Sequence, residues 1–449
     1  MRQMALVGFL QAQNCSNLVS SWRHPAARPD FLSADYYQEI ARILEAGKFH
    51  LAFFDDRLAM PDRYGNDHAH TVENGIRCVK MDPVACLMAM AMGSKQIGLG
   101  ATYSTTYYEP FHVARVFATV DHLIGGRVAW NVVTSLNDGE AWNMGREAMI
   151  AHDLRYDRAD EFMEVVLGHW DSWDDDAILL DKQRMIFADP DKVRRLDHKG
   201  KFFSSRGPFT VPRTPQGRPV LIQAGQSGRG KKFSAQWGEL VFVSYANIHT
   251  ARRDYAELKG MVAAEGRDPD SVSISTTCYT VVGETRSEAQ EKYELIESLH
   301  RDVDSLSLLS EALNFDFASK GLDDPFTTEE LANISGLQAI RDRVVSLSGN
   351  ANPTVREFLH HSQRGRMQNP MVGTASDVAD QMEEWFSSRA CDGFVIVGTN
   401  IPEGYRDFVK MVVPELQRRK LFREDYTGKT LRENLGFPKA AIGDWRRSV

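Results

Sequence analysis

Polar side chains gather where the short apolar run 128–133 gives out: Asn131, Thr134, Ser135, Asn137 and Asp138 stand at or just past its end, within GGRVAWNVVTSLNDGEAWNMG at 125–145. A β-branched run bounded by Gly-Gly and by a Ser/Asn/Asp/Gly cluster predicts a buried strand. In a barrel of parallel strands, that cluster would lie at the end where such barrels keep their chemistry; a core strand with a polar turn accounts for the same spacing. A second candidate is the loop GQSGRGKK at 225–232, which follows an apolar run and opens a helical pattern, so its amides and helix N-terminus could hold a phosphate. Lys232 occupies the place where a nucleoside-triphosphatase loop carries a magnesium-binding hydroxyl, which leaves a phosphate monoester held without metal, or a structural glycine turn. His152 and Tyr156, four apart at the start of a helical pattern, share one face near its positive end and could donate to such a phosphate; a cap or surface role is the alternative.

Asp55 and Asp56 end the strand-like run FHLAFFDD. Adjacent strand residues point to opposite faces, so only one of the two can face a barrel mouth; a solvated strand end fits as well. The pairs His68/His70 and His360/His361 lack the carboxylate or cysteine spacing of a zinc site, so no metal is predicted. No G-x-S-x-G elbow and no G-x-G-x-x-G after an opening strand occur, so neither a hydrolase triad nor a nicotinamide site has a starting point. No residue is assigned as catalytic; a cofactor would have to carry the chemistry.

The elements that would position these residues alternate. After an apolar run at 5–10, a helix is predicted from Ser33, as its cap, to a stop at Gly47, with Tyr36, Tyr37, Ile40, Ile43 and Leu44 at helical spacing. Strand character recurs at FHLAFFDD, 98–103, 128–133, 219–225, 239–245, 272–282 and 393–398, with helical patterns between most of them, which makes eight strands and predicts an α/β (β/α)8 TIM barrel. Two insertions interrupt the alternation, one after strand 4 at about 173–217 of hairpin or loop character, and one after strand 7 at about 285–371 with helical segments expected to cover the barrel mouth. A charged and aromatic C-terminal extension runs from about 418 to 449, and the whole of 1–449 is expected to be a single barrel domain.

The segment 125–145, together with HDLRYDRADEF at 152–162, TPQGRPVLIQAGQS at 214–227 and KTLRENLGF at 429–437, resembles the bacterial-luciferase-like flavin monooxygenases, on the nitrilotriacetate and dibenzothiophene sulfone monooxygenase branch. The resemblance implies reduced FMN supplied by a separate NADH-dependent flavin reductase and reaction with O2 to a flavin C4a-peroxide. It implies FMN-phosphate contacts at His152, Tyr156 and Ser227, flavin-ring contacts at Asp56 and Thr102, with Asn131 nearby, and a homo-oligomer. Phe9, Phe53 and Phe242, at or near ends of strands 1, 2 and 6, are candidates for a dry substrate pocket, with core packing as the alternative. At Asn17 and Ala312 the sulfone-oxidising relatives carry histidines. That loss turns the expectation toward a hydrophobic, electron-poor polychlorinated arene such as hexachlorobenzene, with a dibenzothiophene-sulfone-type substrate as the alternative. Arg23, Arg364 and Arg366 are candidates for a basic pocket if the substrate is a polyaminocarboxylate. A deazaflavin-dependent dehydrogenase and a flavin-binding protein without turnover are the rivals from other classes.

Bulk properties agree with a small-molecule enzyme. The 449 residues are 43% hydrophobic with a net charge of -8, which leaves no basic footprint for nucleic acid. Five scattered cysteines without a C-x-x-C pair predict reduced thiols, and no apolar run reaches the roughly 18 residues of a membrane span. The N-terminus lacks a signal-peptide pattern, so a cytoplasmic location is expected.

Overall fold

The computed structural model describes residues 2–11 and 14–446. Eight parallel strands close on themselves in chain order: β1 (Ala5–Leu10), β2 (Leu51–Phe54), β3 (Gly98–Ser104), β4 (Val128–Val133), β5 (Val220–Gln223), β6 (Leu240–Val243), β7 (Ser273–Val282) and β8 (Gly393–Val397). β8 returns to β1 with Val7 beside Val395, which shuts the ring. This is the (β/α)8 barrel that the alternation predicted, with every strand at the expected place.

Local chemistry sets the first βα unit. In α1 (Ala34–Ala46) the Ser33 hydroxyl accepts from the Tyr36 amide at 3.3 Å and Gly47 ends the helix, while Tyr36, Tyr37, Ile40, Ile43 and Leu44 are buried against the barrel wall. A helix at Pro83–Met92, capped by Asp82 and started by its proline, occupies the β2–β3 connection. α2 (His152–Trp170) and α3 (Gly228–Trp237) carry the phosphate candidates at their N-termini.

The insertion at 173–217 forms two small antiparallel hairpins, Ile178–Asp181 with Ile186–Ala188 and His198–Lys199 with Ser204–Ser205. The insertion between β7 and β8 is helical and has an apolar centre of its own around Leu309, Phe317, Phe326 and Phe358. Its helix α4 (Asp302–Leu313) lies over the loops at the C-terminal ends of the strands, so the predicted cover is present. One short strand, Met371–Gly373, pairs with the far end of β7 and was not legible, since three residues carry no period.

Inward-facing residues alternate along the strands, and Val7, Leu51, Phe53, Ala129, Val220, Ile222, Leu240, Phe242 and Val395 make one cluster inside the barrel. Leu431 and Phe437 of the C-terminal extension belong to the same cluster. The extension therefore plugs the N-terminal end of its own barrel, which answers where this tail goes. A Cβ on Gly98 would sit 2.6 Å from Leu431 Cδ1 and 2.8 Å from the His50 carbonyl oxygen, so a side chain there would press on both the plug and the neighbouring backbone.

Candidate active site

The C-terminal mouth of the barrel divides into a phosphate-sized corner, a polar wall and a charged roof. In the corner, Ser227 caps α3 and its hydroxyl accepts from the Gly230 amide at 3.1 Å. Tyr156 packs beside it: a Cβ on Gly230 would lie 2.9 Å from the Tyr156 hydroxyl, and one on Gly225 3.1 Å. Those glycines let the loop close around the phenol. A Cβ on Gly228 meets nothing within 4 Å, so the first turn of α3 opens onto free space. The His152 ring stands 5.1 Å from that of Tyr156 and its Nδ1 pairs with Asp153 at 2.8 Å. Burial holds the Tyr156 phenol above its ordinary range against the hydrogen bonds to Ser227 and Thr134, so it remains a proton donor at neutral pH. The fold thus unites three residues that are 75 positions apart in the sequence, between His152 and Ser227. Their donors, with the α3 amides, match a phosphate monoester.

On the polar wall, Asn131 Nδ2 donates to Thr102 Oγ1 at 2.9 Å, and Thr102 donates to the Phe54 carbonyl at 2.8 Å. Asn131 Oδ1 is buried and without a partner, an acceptor waiting for an N–H. This side chain faces the same lumen as the phosphate corner. The residues present therefore fit a flavin mononucleotide: a phosphate cradle at α3 and an orphan amide acceptor at β4.

Leu51 and Phe53 of β2 point into the barrel and Ala52 and Phe54 to its outer layer. Asp55 accepts from the Gln11 side chain. Asp56 is pushed up to about 7, first by burial, with Lys80 opposing and Asp55 adding to the rise. Phe53 lies 5.6 Å from Phe9 and 5.0 Å from Phe242 in edge-on contacts, an aromatic floor inside the barrel in which only Phe9 is partly exposed. The two fully enclosed rings are core as much as pocket.

The roof holds what sequence reasoning missed. Arg57 Nη1 donates to Asn137 Oδ1 at 2.9 Å and stands 3.8 Å from Glu311 of α4, whose Oε1 accepts from Asn137 Nδ2 at 2.7 Å. Arg77 Nη2 donates to Asn17 Oδ1 at 2.8 Å, and Asn17 Nδ2 reaches the Tyr279 hydroxyl at 2.6 Å. Lys80 and Arg364 join this group electrostatically. Burial raises the Glu311 carboxyl, but Arg57, Arg77, Lys80 and Arg364 outweigh it and hold the group ionised. No spacing rule links residues on four loops and a lid helix, so beyond Arg364, Asn17 and Asn137, each named singly for other reasons, this cluster had no signal in the sequence.

Two expectations change here. Asn17 is not an apolar gap left by a lost histidine, because Arg77 and Tyr279 hold it in a polar chain. Ala312 is buried and its carbonyl accepts from the Leu337 amide at 2.7 Å; its neighbour Glu311 is the α4 residue that meets the mouth. Of the three arginines considered for a basic pocket, Arg23 is tied to Asp304 at 2.6 Å and Arg366 to Glu297 at 2.9 Å, which leaves Arg364. Among the described residues no group of three or more His, Cys, Asp or Glu side chains could hold a metal ion, and no helix is long and apolar enough to cross a membrane.

The profile of the luciferase-like monooxygenases matches residues 14–392. The chain is 45% identical to a dibenzothiophene-sulfone monooxygenase of Rhodococcus erythropolis, over 97% of each chain. It is 38% identical to nitrilotriacetate monooxygenase component A of Aminobacter aminovorans, over 94% of each. Among solved structures, a riboflavin lyase with modified FMN and substrate riboflavin superposes with a TM-score of 0.88 at 32% identity, covering 98% of this chain and 97% of that one.

Proposed function

Because the chain belongs to the luciferase-like monooxygenase family, a family of flavin-dependent oxidoreductases, we propose that it binds FMN reduced by a separate NADH-dependent flavin reductase and oxygenates an organosulfur compound of the sulfone type. The observation that carries the cofactor is the convergence of His152, Tyr156 and Ser227 at the open first turn of α3, on the same mouth as the unpartnered Asn131 Oδ1. When bound, reduced flavin supplies the activation of O2 that no side chain here can supply. The chain's own residues position and shield. Tyr156, Ser227 and the α3 amides would hold the phosphate, Asn131 Oδ1 would accept an N–H of the ring, Asp56 stands at the end of β2, and the Phe9–Phe53–Phe242 floor would keep water from that face.

The similarity to a sulfone monooxygenase and to a "component A" protein supports the sulfur substrate and the reductase partner. A polychlorinated arene gains no such support, and the roof argues against it: a ligand without hydrogen-bond acceptors would leave Arg77 and its neighbours buried against apolar surface, at a cost of a few kcal/mol for each unpaired group.

The test has two arms. Tyr156→Phe should weaken FMN binding, followed by fluorescence quenching, about tenfold, the worth of one hydrogen bond to a charged group; His152→Ala should weaken it less, since this ring is half exposed. Oxygen uptake with NADH and a flavin reductase should yield oxygenated product from dibenzothiophene sulfone. Unchanged FMN affinity in both variants removes the phosphate corner. Alcohol oxidation with a deazaflavin and no O2 consumption would make the protein a dehydrogenase instead.

A further inference from the structure

Buried cations normally find a carboxylate or a set of carbonyls, because an unpaired buried charge costs several kcal/mol. Three cations of the roof find no carboxylate in contact, and of the three Arg77 has the Asn17 side-chain carbonyl alone. Lys80 Nζ, Arg77 Nε and Arg364 Nε are shut off from solvent and have no hydrogen-bond partner, and among the described residues no carboxylate oxygen lies within 4.0 Å of any of the three side chains. Arg77 as a whole is only 6% exposed. The carboxylates that reach this space do so only at a distance. Glu311 Oε1 is taken by Asn137 and lies nearest Arg57; its Oε2 is buried and unpartnered and acts on Arg77, Lys80 and Arg364 from beyond 4.0 Å; and Asp55 takes the Gln11 amide. Glu140 spends its oxygens on Ser135 and on the amides of Leu58, Leu136 and Asn137. Asp56 is the remaining anion, and burial leaves it about half protonated near neutrality.

The loose cations also repel one another: Arg77 and Arg57 lower Arg364, after burial, to about 10, and Arg57 and Arg77 act on Lys80 in the same sense. An arrangement that holds like charges together with no carboxylate in direct contact, and with donors of all three left unpaired, is explained by a missing acceptor. The aromatic floor below them has no polar group to offer, and the phosphate corner is built from a different set of residues.

We propose that Arg77, Lys80 and Arg364 form an anion subsite in the roof of the barrel mouth, and that the substrate is an organosulfur compound carrying an acidic group, a sulfonate or carboxylate, which these three side chains hold. The inference rests on the monooxygenase reading for its purpose, not for its geometry. The acidic group docks on the three donors, Asn17 and Tyr279 brace Arg77 from behind, and the apolar part of the molecule lies toward the floor at Phe9. Glu311 is a positioning residue that keeps Arg57 apart from the subsite and tempers its charge.

The experiment uses the full chain with FMN and compares benzenesulfonate with methyl phenyl sulfone, which share an aryl ring and sulfonyl oxygens and differ in charge, by isothermal titration at fixed ionic strength. The sulfonate should bind at least tenfold more tightly than the sulfone. Lys80→Met and Arg77→Met should each weaken sulfonate binding about ten- to a hundredfold and change sulfone binding less than twofold. Glu311→Gln should do the opposite and tighten the sulfonate, a direction that misfolding cannot imitate. Benzoate, run alongside, tells a carboxylate preference from a sulfonate one. Equal affinity for sulfonate and sulfone overturns the proposal, as does a Glu311→Gln variant that fails to tighten binding. It is also overturned if Lys80→Met weakens FMN as much as sulfonate, since the donors would then belong to the cofactor. If FMN itself does not bind while the sulfonate pattern holds, the anion subsite stands and the flavin reading falls.

Discussion

Glu239→Gln should lower the melting temperature by about 3 to 5 °C, through an ion pair that seats the C-terminal plug. Glu239, 7% exposed, precedes β6, and its Oε2 accepts from Arg432 Nη2 at 2.7 Å and from the Leu221 amide at 3.0 Å, with Arg218 at 3.8 Å. Burial alone would raise this carboxyl; Arg432 and Arg218 reverse that and hold it at about 2 against 4.5 for a free glutamate. A depression of that size corresponds to about 3 kcal/mol of stability, and removing one partner of a buried pair costs about 3 to 5 kcal/mol, because Arg432 is left uncompensated while Arg218 keeps Asp444. At about 2.1 cal/mol/K per residue, 449 residues give an unfolding entropy of about 0.9 kcal/mol/K, hence the few degrees. The sign with pH follows from the depressed value: the contribution is complete above 4.5 and is lost as pH falls toward 2. Differential scanning fluorimetry of both proteins from pH 7 to pH 3 should therefore show the gap between them narrowing below pH 4.5. A variant within 1 °C of the parent at pH 7, or a gap that stays constant with pH, would refute the role of the pair.

Other perturbations read the same architecture. Leu431→Ala empties a fully buried site at the bottom of the barrel and should cost about 2 to 5 kcal/mol, seen as a melting point lower by about 2 to 5 °C in the same assay. Asp56, raised to about 7, destabilises the fold as pH climbs from 3.8 through 7, because the unfolded chain ionises there first; the parent's melting temperature should carry this loss between about pH 4 and pH 7, and Asp56→Asn should remove it. Glu140→Gln weakens the buried carboxylate that gathers the Leu58, Leu136 and Asn137 amides and should lower the melting point by about 1 to 3 °C in the same assay.

The barrel itself was legible because its signals are local. Short β-branched runs alternating with amphipathic stretches carry their periods within ten or so residues, and a Ser33 cap or a Gly47 stop needs no distant partner. The trio proposed for the phosphate came from resemblance, and the fold brings its members together, since α2 and α3 start side by side at one mouth. Other features depended on where separate loops land. Alternation alone could say that Asp55 and Asp56 part company, but only the packed strand end shows Asp55 with Gln11 and Asp56 buried within electrostatic reach of Lys80. The tail motif KTLRENLGF carried family likeness without a location until Leu431 was found under Gly98. The roof is the clearest case: Arg57, Arg77, Lys80, Glu311 and Arg364 span more than half the chain, and charged residues on loops are by default solvated. Composition and periodicity determined which elements form, because hydrophobic burial is read residue by residue. Only tertiary structure decided which charges are taken out of water together, because that depends on three-dimensional distance, to which sequence spacing is blind.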